Sequence, residues 1–182
     1  MASVRDVSQA DNIDQVTEER FRLALGNFAT GVTIITSTDD GEPVGMSASS
    51  FTSVSLDPPL VSFCAALTST TYPRISASER FCVNVLSEFQ EDIARAFAQP
   101  DVDRFANVPF TDSPLGSPVL SGVVAWIDCS IEAEHRAGDH LIVVGRVRAL
   151  HVEFQRLPLL YFRGQFAIEL PISRDIDTLA TE

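Results

Sequence analysis

The sequence predicts a mainly β domain with a few flanking α-helices, and three observations indicate it. About seven segments are rich in β-branched and aromatic residues and are bounded by turn residues. Two of them, 123–134 and about 140–152, are long and alternate apolar with polar residues. The order is not βαβ and no G-x-G-x-x-G follows a strand, so a Rossmann domain is not expected. Long strands of this kind suit a closed barrel, because closure removes exposed strand edges.

The first predicted element is a helix that begins after Thr17, an N-cap residue that two glutamates follow in the first turn. Phe21, Leu25 and Phe28 recur at helical spacing and form one apolar face. We expect Gly31 to end this helix.

A hairpin comes next, because the β-branched run 32–37 and the run 43–48 flank the turn signal at 39–41. The elements expected after it are strands at 51–56, 60–67 and 80–87, a short helix at 73–79 and an amphipathic helix at 88–98. Residues 99–121 contain four prolines and predict a long irregular connection with little structure of its own. After the two long strands, 159–166 is the last short strand.

The length of 182 residues is typical of one domain. We assign residues 17–170 to that domain, with a flexible tail at 1–16 and a second tail at 171–182. The first tail lacks the apolar stretch of a secretory signal, and no apolar run reaches the ~18–20 residues of a transmembrane helix. The expectation is a protein that does not enter a membrane.

The net charge is −12, and all 13 basic residues are arginines. This balance argues against a nucleic-acid surface, which needs a basic stripe, and against binding to anionic membranes. The lack of lysine excludes Schiff-base, phosphate-loop and kinase chemistry that depends on a lysine.

The three cysteines, Cys64, Cys82 and Cys129, lie far apart in apolar stretches. An odd number without a C-x-x-C pair predicts reduced, buried thiols in a cytoplasmic protein. The three histidines show no ligand spacing with them, so no metal site is predicted.

Three stretches could carry chemistry. Residues 45–55 hold six hydroxyl side chains, which could meet the polar edge of a flavin or could simply be a polar strand and loop. Residues 68–71 could hold a phosphate or merely cap a helix. His140, in the turn Gly138-Asp139-His140, could contact a ligand or be an ordinary turn residue.

A resemblance to a known family is carried by five segments: FRLALGNFATGVTIIT (21–36), GMSASSFTSVSLDPPLVSFC (45–64), RFCVNVL (80–86), GDH (138–140) and PLLYFRGQF (158–166). In this order and spacing they resemble the short-chain flavin reductases, the small components of two-component flavin-dependent monooxygenases. The resemblance covers roughly residues 18–168. It implies an FMN-binding, Greek-key split β-barrel that forms a homodimer, with the flavin near the subunit interface.

The resemblance also implies a set of site residues. Those expected to line the flavin ring and ribityl chain are Val44, Gly45, Met46, Ser47, Ser49 and Ser50. Those expected to pass beside the flavin or approach its phosphate are Cys64, Ala65, Ala66, Thr70 and Thr71. His140 is the expected catalytic residue and contacts the nicotinamide nucleotide, with Phe166 packing near it. Relatives often carry a cation within 67–71, and here Arg74 or Arg95 is expected to replace it.

The implied activity is hydride transfer from NADH or NADPH to FMN or FAD, with reduced flavin supplied to a partner monooxygenase through a transient contact. No protein nucleophile is required for this reaction. One alternative is an oxidase of the pyridoxamine-phosphate type or a deazaflavin enzyme. A second is a non-catalytic flavin- or heme-binding barrel that acts as a carrier or sensor. A hydrolase is less favoured because no G-x-S-x-G motif is present. Asn84, polar within an apolar strand, is interpreted as a buried structural residue.

Overall fold

A seven-stranded antiparallel sheet dominates the computed structural model, which describes residues 16–99 and 102–166. Its strands are β2 (Thr33–Asp39), β3 (Glu42–Ala48), β4 (Thr52–Leu56), β5 (Pro59–Ala66), β6 (Arg80–Val85), β9 (Ala125–Ala137) and β10 (His140–Val152). Their order across the sheet is β3-β2-β6-β9-β10-β5-β4. The remaining strands, in two smaller sheets, are β1 (Thr30–Gly31), β7 (Phe110–Asp112), β8 (Pro118–Leu120), β11 (Leu160–Phe162) and β12 (Gln165–Phe166). The predicted mainly β class is confirmed.

The large sheet curls around an apolar core but does not close by hydrogen bonding. Its edge strands β3 and β4 are not neighbours in the pairing order, while β3 comes close to β5. Inward-facing side chains from six strands meet in the interior, among them Phe63, Phe81 and Val143, none of which is exposed. The sheet therefore forms a barrel that is split along one seam, and the split β-barrel that the resemblance implies is confirmed.

The hairpin of β2 and β3 matches its prediction closely. The turn residues Asp40 and Gly41 have φ values of 49° and 83°, the conformation that a two-residue hairpin turn of this kind needs. The two long strands β9 and β10 also lie where their alternating patterns place them, and Gly138 and Asp139 form the turn between them.

Three helices flank the sheet: α1 (Glu18–Leu25), α2 (Tyr72–Ala77) and α3 (Glu91–Ala98). The Thr17 hydroxyl caps α1 by accepting from the backbone N–H of Arg20 at 3.3 Å, as predicted. The expected end of α1 at Gly31 is wrong, because Gly26 forms the C-cap and Gly31 pairs in β1 with β11. The predicted apolar face exists but is uncovered, and α1 has no buried residue.

The helix expected at 88–98 begins later, at Glu91. The Gln90 side chain accepts from the backbone N–H of Ser87 at 2.9 Å, and Ser87 forms an isolated β-bridge with Pro158. These contacts hold the connection in a non-helical conformation and leave Phe89 exposed rather than on the helix face.

The connection at 99–121 has more structure than expected, because β7 and β8 form an antiparallel hairpin within it. Asn84, fully buried in β6, attaches this hairpin to the sheet. Its side-chain oxygen accepts from the backbone N–H of Leu120 at 2.8 Å, and its amide donates to the Thr36 hydroxyl at 2.9 Å. The interpretation of Asn84 as a buried structural residue agrees with these contacts.

The last predicted strand, 159–166, is a tight hairpin rather than one strand. Arg163 and Gly164 have φ values of 49° and 81° and reverse the chain between β11 and β12. The backbone N–H of Arg163 donates to the carbonyl oxygen of Gly26, and its side chain donates to Asn27 at 2.8 Å. These bonds attach the end of α1 to the hairpin.

Asp128, on the polar face of β9, is fully buried. The turn of the β7–β8 hairpin covers it, and its carboxylate accepts from the backbone N–H of Leu115 at 2.8 Å. Burial raises the pKa of Asp128. Burial also raises the pKa of the neighbouring Cys129 thiol to about 12, so this thiol is unreactive.

The predicted tails at 1–16 and 171–182 lie outside the described residues, apart from Val16. Within the described ranges, no helix combines the length and the apolar character that crossing a bilayer would demand.

Candidate functional site

A cleft of about 290 Å³ lies beside β3, where the segment before α2 and the segment 102–105 approach that strand. Its lining includes Val44, Gly45, Thr70, Thr71, Arg74 and Arg104. Four of these six are residues that the resemblance assigns to the flavin or to its phosphate. They come from parts of the chain that are far apart in sequence, so the cleft exists only in the folded protein.

Arg104 is the central cation of the cleft. Its Nη1 donates to the carbonyl oxygen of Gly45 at 2.7 Å and to the Thr71 hydroxyl at 2.9 Å. Its Nη2 donates to the carbonyl oxygen of Gln99 at 2.8 Å. These partners are neutral, and among residues 16–99 and 102–166 no carboxylate forms an ion pair with Arg104. The guanidinium therefore brings a positive charge into the cleft beside a hydroxyl.

Arg104 was missed by the sequence analysis. It lies in the connection at 99–121, where no periodic pattern indicates which way a side chain points. The only available signal was an arginine next to an aromatic residue, Phe105, which is common on protein surfaces.

The two arginines that were expected to replace the missing cation lie in different places. Arg74 lines the cleft, where its Nε donates to the Asp39 carboxylate at 2.6 Å. Arg95 pairs with Glu91 on α3 at 2.5 Å, and its guanidinium lies over the ring of Phe166 at 5.0 Å. Arg95 is not among the residues that line the cleft.

Gly45 is required by the packing at the floor of the cleft. A Cβ atom there would lie 2.7 Å from the Phe97 ring and 3.1 Å from the carbonyl oxygen of Ile35. The Phe97 ring in turn packs edge-to-face on Phe105, with the ring centroids 5.0 Å apart. This packing brings the segment that carries Arg104 against β3, so the glycine permits the close approach that forms the cleft.

The serines after β3 connect it to β5. The Ser50 hydroxyl accepts from the backbone N–H of Cys64 at 2.8 Å. Ser49 is exposed beside it, Met46 packs on the barrel core, and Ser47 is half-buried on the opposite face of β3. Ser50 therefore positions the backbone of β5, which the resemblance places beside the flavin.

His140 lies at the rim of the barrel, at the start of β10. In the register between β10 and β5, His140 lies opposite Ala66, and Ile142, two residues further along β10, lies opposite Cys64. Since alternate residues of a strand share a face, Cys64, Ala66 and His140 lie on one outward face, whereas Ala65 is buried in the core. The His140 Nδ1 lies 2.7 Å from the Asp139 carboxylate, and this hydrogen bond lowers the pKa of Asp139.

The structure thus brings the expected residues into separate groups. Val44, Gly45, Thr70 and Thr71 meet at the cleft, Ser50 and Cys64 are hydrogen-bonded, and His140 adjoins Ala66. Phe166 packs with Arg95 on the apolar cluster behind β2, which includes Phe97 and Leu159.

The cleft fits the phosphate end of a flavin nucleotide. A guanidinium and a hydroxyl converge in it. The N–H groups of Arg104 already donate to Gly45, Thr71 and Gln99, so its contribution to a bound phosphate is a fixed positive charge beside the Thr71 hydroxyl. The split barrel and the anion-binding cleft beside β3 define a class of ligand-binding barrel, the arrangement that the resemblance assigns to flavin oxidoreductases.

Comparison with protein families identifies the class more narrowly. The model of the flavin reductase like domain matches residues 25–169, and the chain belongs to this family. This confirms the predicted resemblance, the split-barrel fold and an oxidoreductase that acts on flavin as a reductase component.

Individual relatives agree with this assignment. The reductase subunit HsaB of a flavin-dependent monooxygenase from Rhodococcus jostii is 49% identical over 153 residues, which cover 84% of this chain and 78% of the relative. A flavin reductase of Pseudomonas putida is 48% identical over 147 residues, which cover 80% and 86%. The solved NADH:FAD oxidoreductase SgcE6 of Streptomyces globisporus C-1027, in complex with NAD and FAD fragments, has a TM-score of 0.83 and 37% identity, and the match covers 90% of this chain and 99% of that one.

Proposed function

We propose that this chain reduces FMN or FAD with NADH or NADPH and supplies the reduced flavin to a flavin-dependent monooxygenase through a transient contact. The domain at 17–170 carries this activity. The observation that supports it best is the Arg104 guanidinium in the cleft, which donates to the Thr71 hydroxyl and to the carbonyl oxygen of Gly45. The names of the relatives as reductase subunits support the oxygenase partner.

The residues of the cleft bind the phosphate of the flavin. Arg104 supplies a positive charge and the Thr71 hydroxyl donates to the phosphate oxygens, and Thr70 lies next to them. Because the Arg104 guanidinium is already held by the carbonyl oxygens of Gly45 and Gln99, little side-chain entropy is lost on binding.

The residues on the outward face of β5 and β10 orient the reacting groups. When bound, the flavin accepts a hydride at N5 from C4 of the nicotinamide. Backbone N–H groups near Cys64 lie on the route that the resemblance assigns to the flavin ring, and Ser50 fixes them. His140 contacts the nicotinamide nucleotide, and in the tautomer that donates its Nδ1–H to Asp139 its Nε2 is free for that contact.

A homodimer is part of the proposal. Helix α1 has eight residues and buries none of them, and a helix of that length is not stable alone in water. Phe21 and Leu25 on it, and Phe28 just beyond its end, are more than half exposed, at 54%, 55% and 74%. A second copy that covers this face would stabilise the helix, which agrees with the homodimer that the resemblance implies. The three cysteines are free thiols, as expected for a protein that works in the cytoplasm.

The test is consumption of NADH and NADPH at 340 nm by the purified protein, with and without riboflavin, FMN or FAD. Turnover that depends on added flavin is expected, and its rates rank the flavins and the two nucleotides. Flavin binding without turnover in any pairing would contradict the proposal and would favour a carrier or sensor.

A further inference from the structure

We propose that Asp39 keeps the flavin phosphate loosely bound by neutralising Arg74, one of the two arginines in the cleft. This inference rests on the proposed function and concerns how strongly the same site holds its flavin. Loose binding is what a reductase needs when flavin is exchanged with another protein at each turnover.

The two arginines of the cleft have different partners. Arg104 donates only to neutral oxygens among the described residues, so its charge is available to an anion. Arg74 forms an ion pair with the carboxylate of Asp39 at 2.6 Å. The side chains are 25% exposed for Asp39 and 49% exposed for Arg74, so water screens the pair mainly from the arginine side. Asp103 also lines the cleft, and its carboxylate accepts from the backbone N–H of Phe105. An anion in the cleft therefore experiences the unpaired charge of Arg104, the neutral pair of Arg74 with Asp39 and the negative charge of Asp103.

The pair is held in place by the fold. Asp39 is the last residue of β2 and faces Glu42 across the turn of the hairpin, and Arg74 lies on α2. Both elements pack on the barrel, since Ile75, next to Arg74, is completely buried. Neither partner can therefore move far from the other, and the carboxylate stays close to the cleft whether or not flavin is bound.

The consequence is a site whose phosphate affinity is lower than its two arginines would allow. Removing the carboxylate while keeping the shape of the side chain would free the Arg74 guanidinium for the phosphate. A charge-assisted contact of this kind strengthens binding by about tenfold. Riboflavin, which has no phosphate, would gain nothing.

The experiment is a set of dissociation constants for riboflavin and FMN, measured by calorimetry on the full chain. The variants are Asp39→Asn, Arg74→Gln and the two combined. Glu132→Gln is the matched control, because it removes the same charge from another arginine pair, Glu132 with Arg146, outside the cleft.

We expect Asp39→Asn to tighten FMN binding about tenfold and to make it more sensitive to salt, with riboflavin unchanged. Arg74→Gln should change FMN binding by less than about twofold in the wild-type background and should abolish the gain in the double variant. Glu132→Gln should leave both constants unchanged.

Three results would overturn the inference. FMN binding that is unchanged or weaker in Asp39→Asn would show that the carboxylate does not attenuate the site. An equal gain in Glu132→Gln would assign the effect to net charge. A large loss in Arg74→Gln alone would show that Arg74 already binds the phosphate. If the wild-type chain binds no flavin at all, the proposed function fails together with this inference. If flavin turns over but the Asp39 and Arg74 substitutions have independent effects on FMN binding, only the inference is overturned.

Discussion

The barrel with its cleft and the amino-terminal helix α1 are stabilised in different ways. The barrel is complete within one chain, because its aromatic core is buried. Arg104 joins the segments of the cleft, and Asn84 joins the β7–β8 hairpin to the sheet. Helix α1 is attached by backbone pairing of β1 with β11 and by the hydrogen bonds of Arg163, while its apolar side chains face outward. The difference indicates that the cleft is formed by a single chain, and it supports the proposal that a second copy covers α1.

The largest expected effect comes from filling space inside the barrel. In Gly145→Ala the new Cβ would lie 2.3 Å from Cζ of Phe81, a ring with no exposed surface and no room to move. We expect a loss of about 2–3 kcal/mol in the free energy of unfolding, measured by urea denaturation. Gly31→Ala is the control, since nothing lies within 4 Å of its Cβ, and an equal loss there would show that the effect is not steric.

The second effect tests whether the cleft acts independently of the core. Arg104→Gln keeps a side chain that can donate to the carbonyl oxygen of Gly45 but removes the charge. We expect FMN binding to weaken about thirtyfold, the size of a charge-assisted contact, while riboflavin binding and the thermal midpoint hardly change. Titration with both flavins measures it, and a parallel loss of riboflavin binding would mean that Arg104 acts by holding the fold.

The third effect concerns α1. Phe28→Ser removes an exposed aromatic side chain next to the helix. If a second copy covers this face, the dissociation constant of the dimer should rise about tenfold or more, because burial of a large apolar side chain contributes about 1.5–3 kcal/mol. Light scattering across a dilution series measures the molecular mass and therefore the fraction of dimer at each concentration. Phe89→Ser, which changes a side chain that is 84% exposed elsewhere, should leave the mass unaltered.

The smallest effect comes from the buried carboxylate in the barrel wall. Burial raises the pKa of Asp128 above its value in the unfolded chain, and the bond from the Leu115 N–H and the charge of Arg80 offset this only in part. The native state therefore binds a proton more tightly than the unfolded state, so this group stabilises the fold at low pH and loses that contribution as the pH rises through the raised pKa.

Asp128→Asn should accordingly increase stability at pH 7 by about 1 kcal/mol or less and should have no such benefit at pH 4. Thermal melts at both pH values measure the difference. A larger gain in stability at pH 4 than at pH 7 would contradict the raised pKa of Asp128.

The elements that could be predicted are those whose signal is local. The hairpin turn at Asp40 and Gly41 needs only positive φ angles, and the strands β9 and β10 alternate over 13 residues each. The helix start at Thr17 depends on residues within one turn. Of the cleft, Thr70 and Thr71 were indicated by a run of hydroxyl residues before a helix, and Val44 and Gly45 by the family resemblance. The hairpin of β7 and β8 was missed because Asn84, which anchors it, lies 36 residues from Leu120.

Composition and short-range periodicity were thus enough for the mainly β class and the main strands, because strand alternation, turns and caps depend on neighbours along the chain. The family resemblance came from five motifs in a fixed order. The partner of each charged group was decided only in the folded molecule. Arg104 reaches Gly45 across 59 residues, and Asp39 reaches Arg74 across 35. Their separation in space depends on how the sheet curls and on how tightly Phe97 and Phe105 pack, which no local pattern encodes.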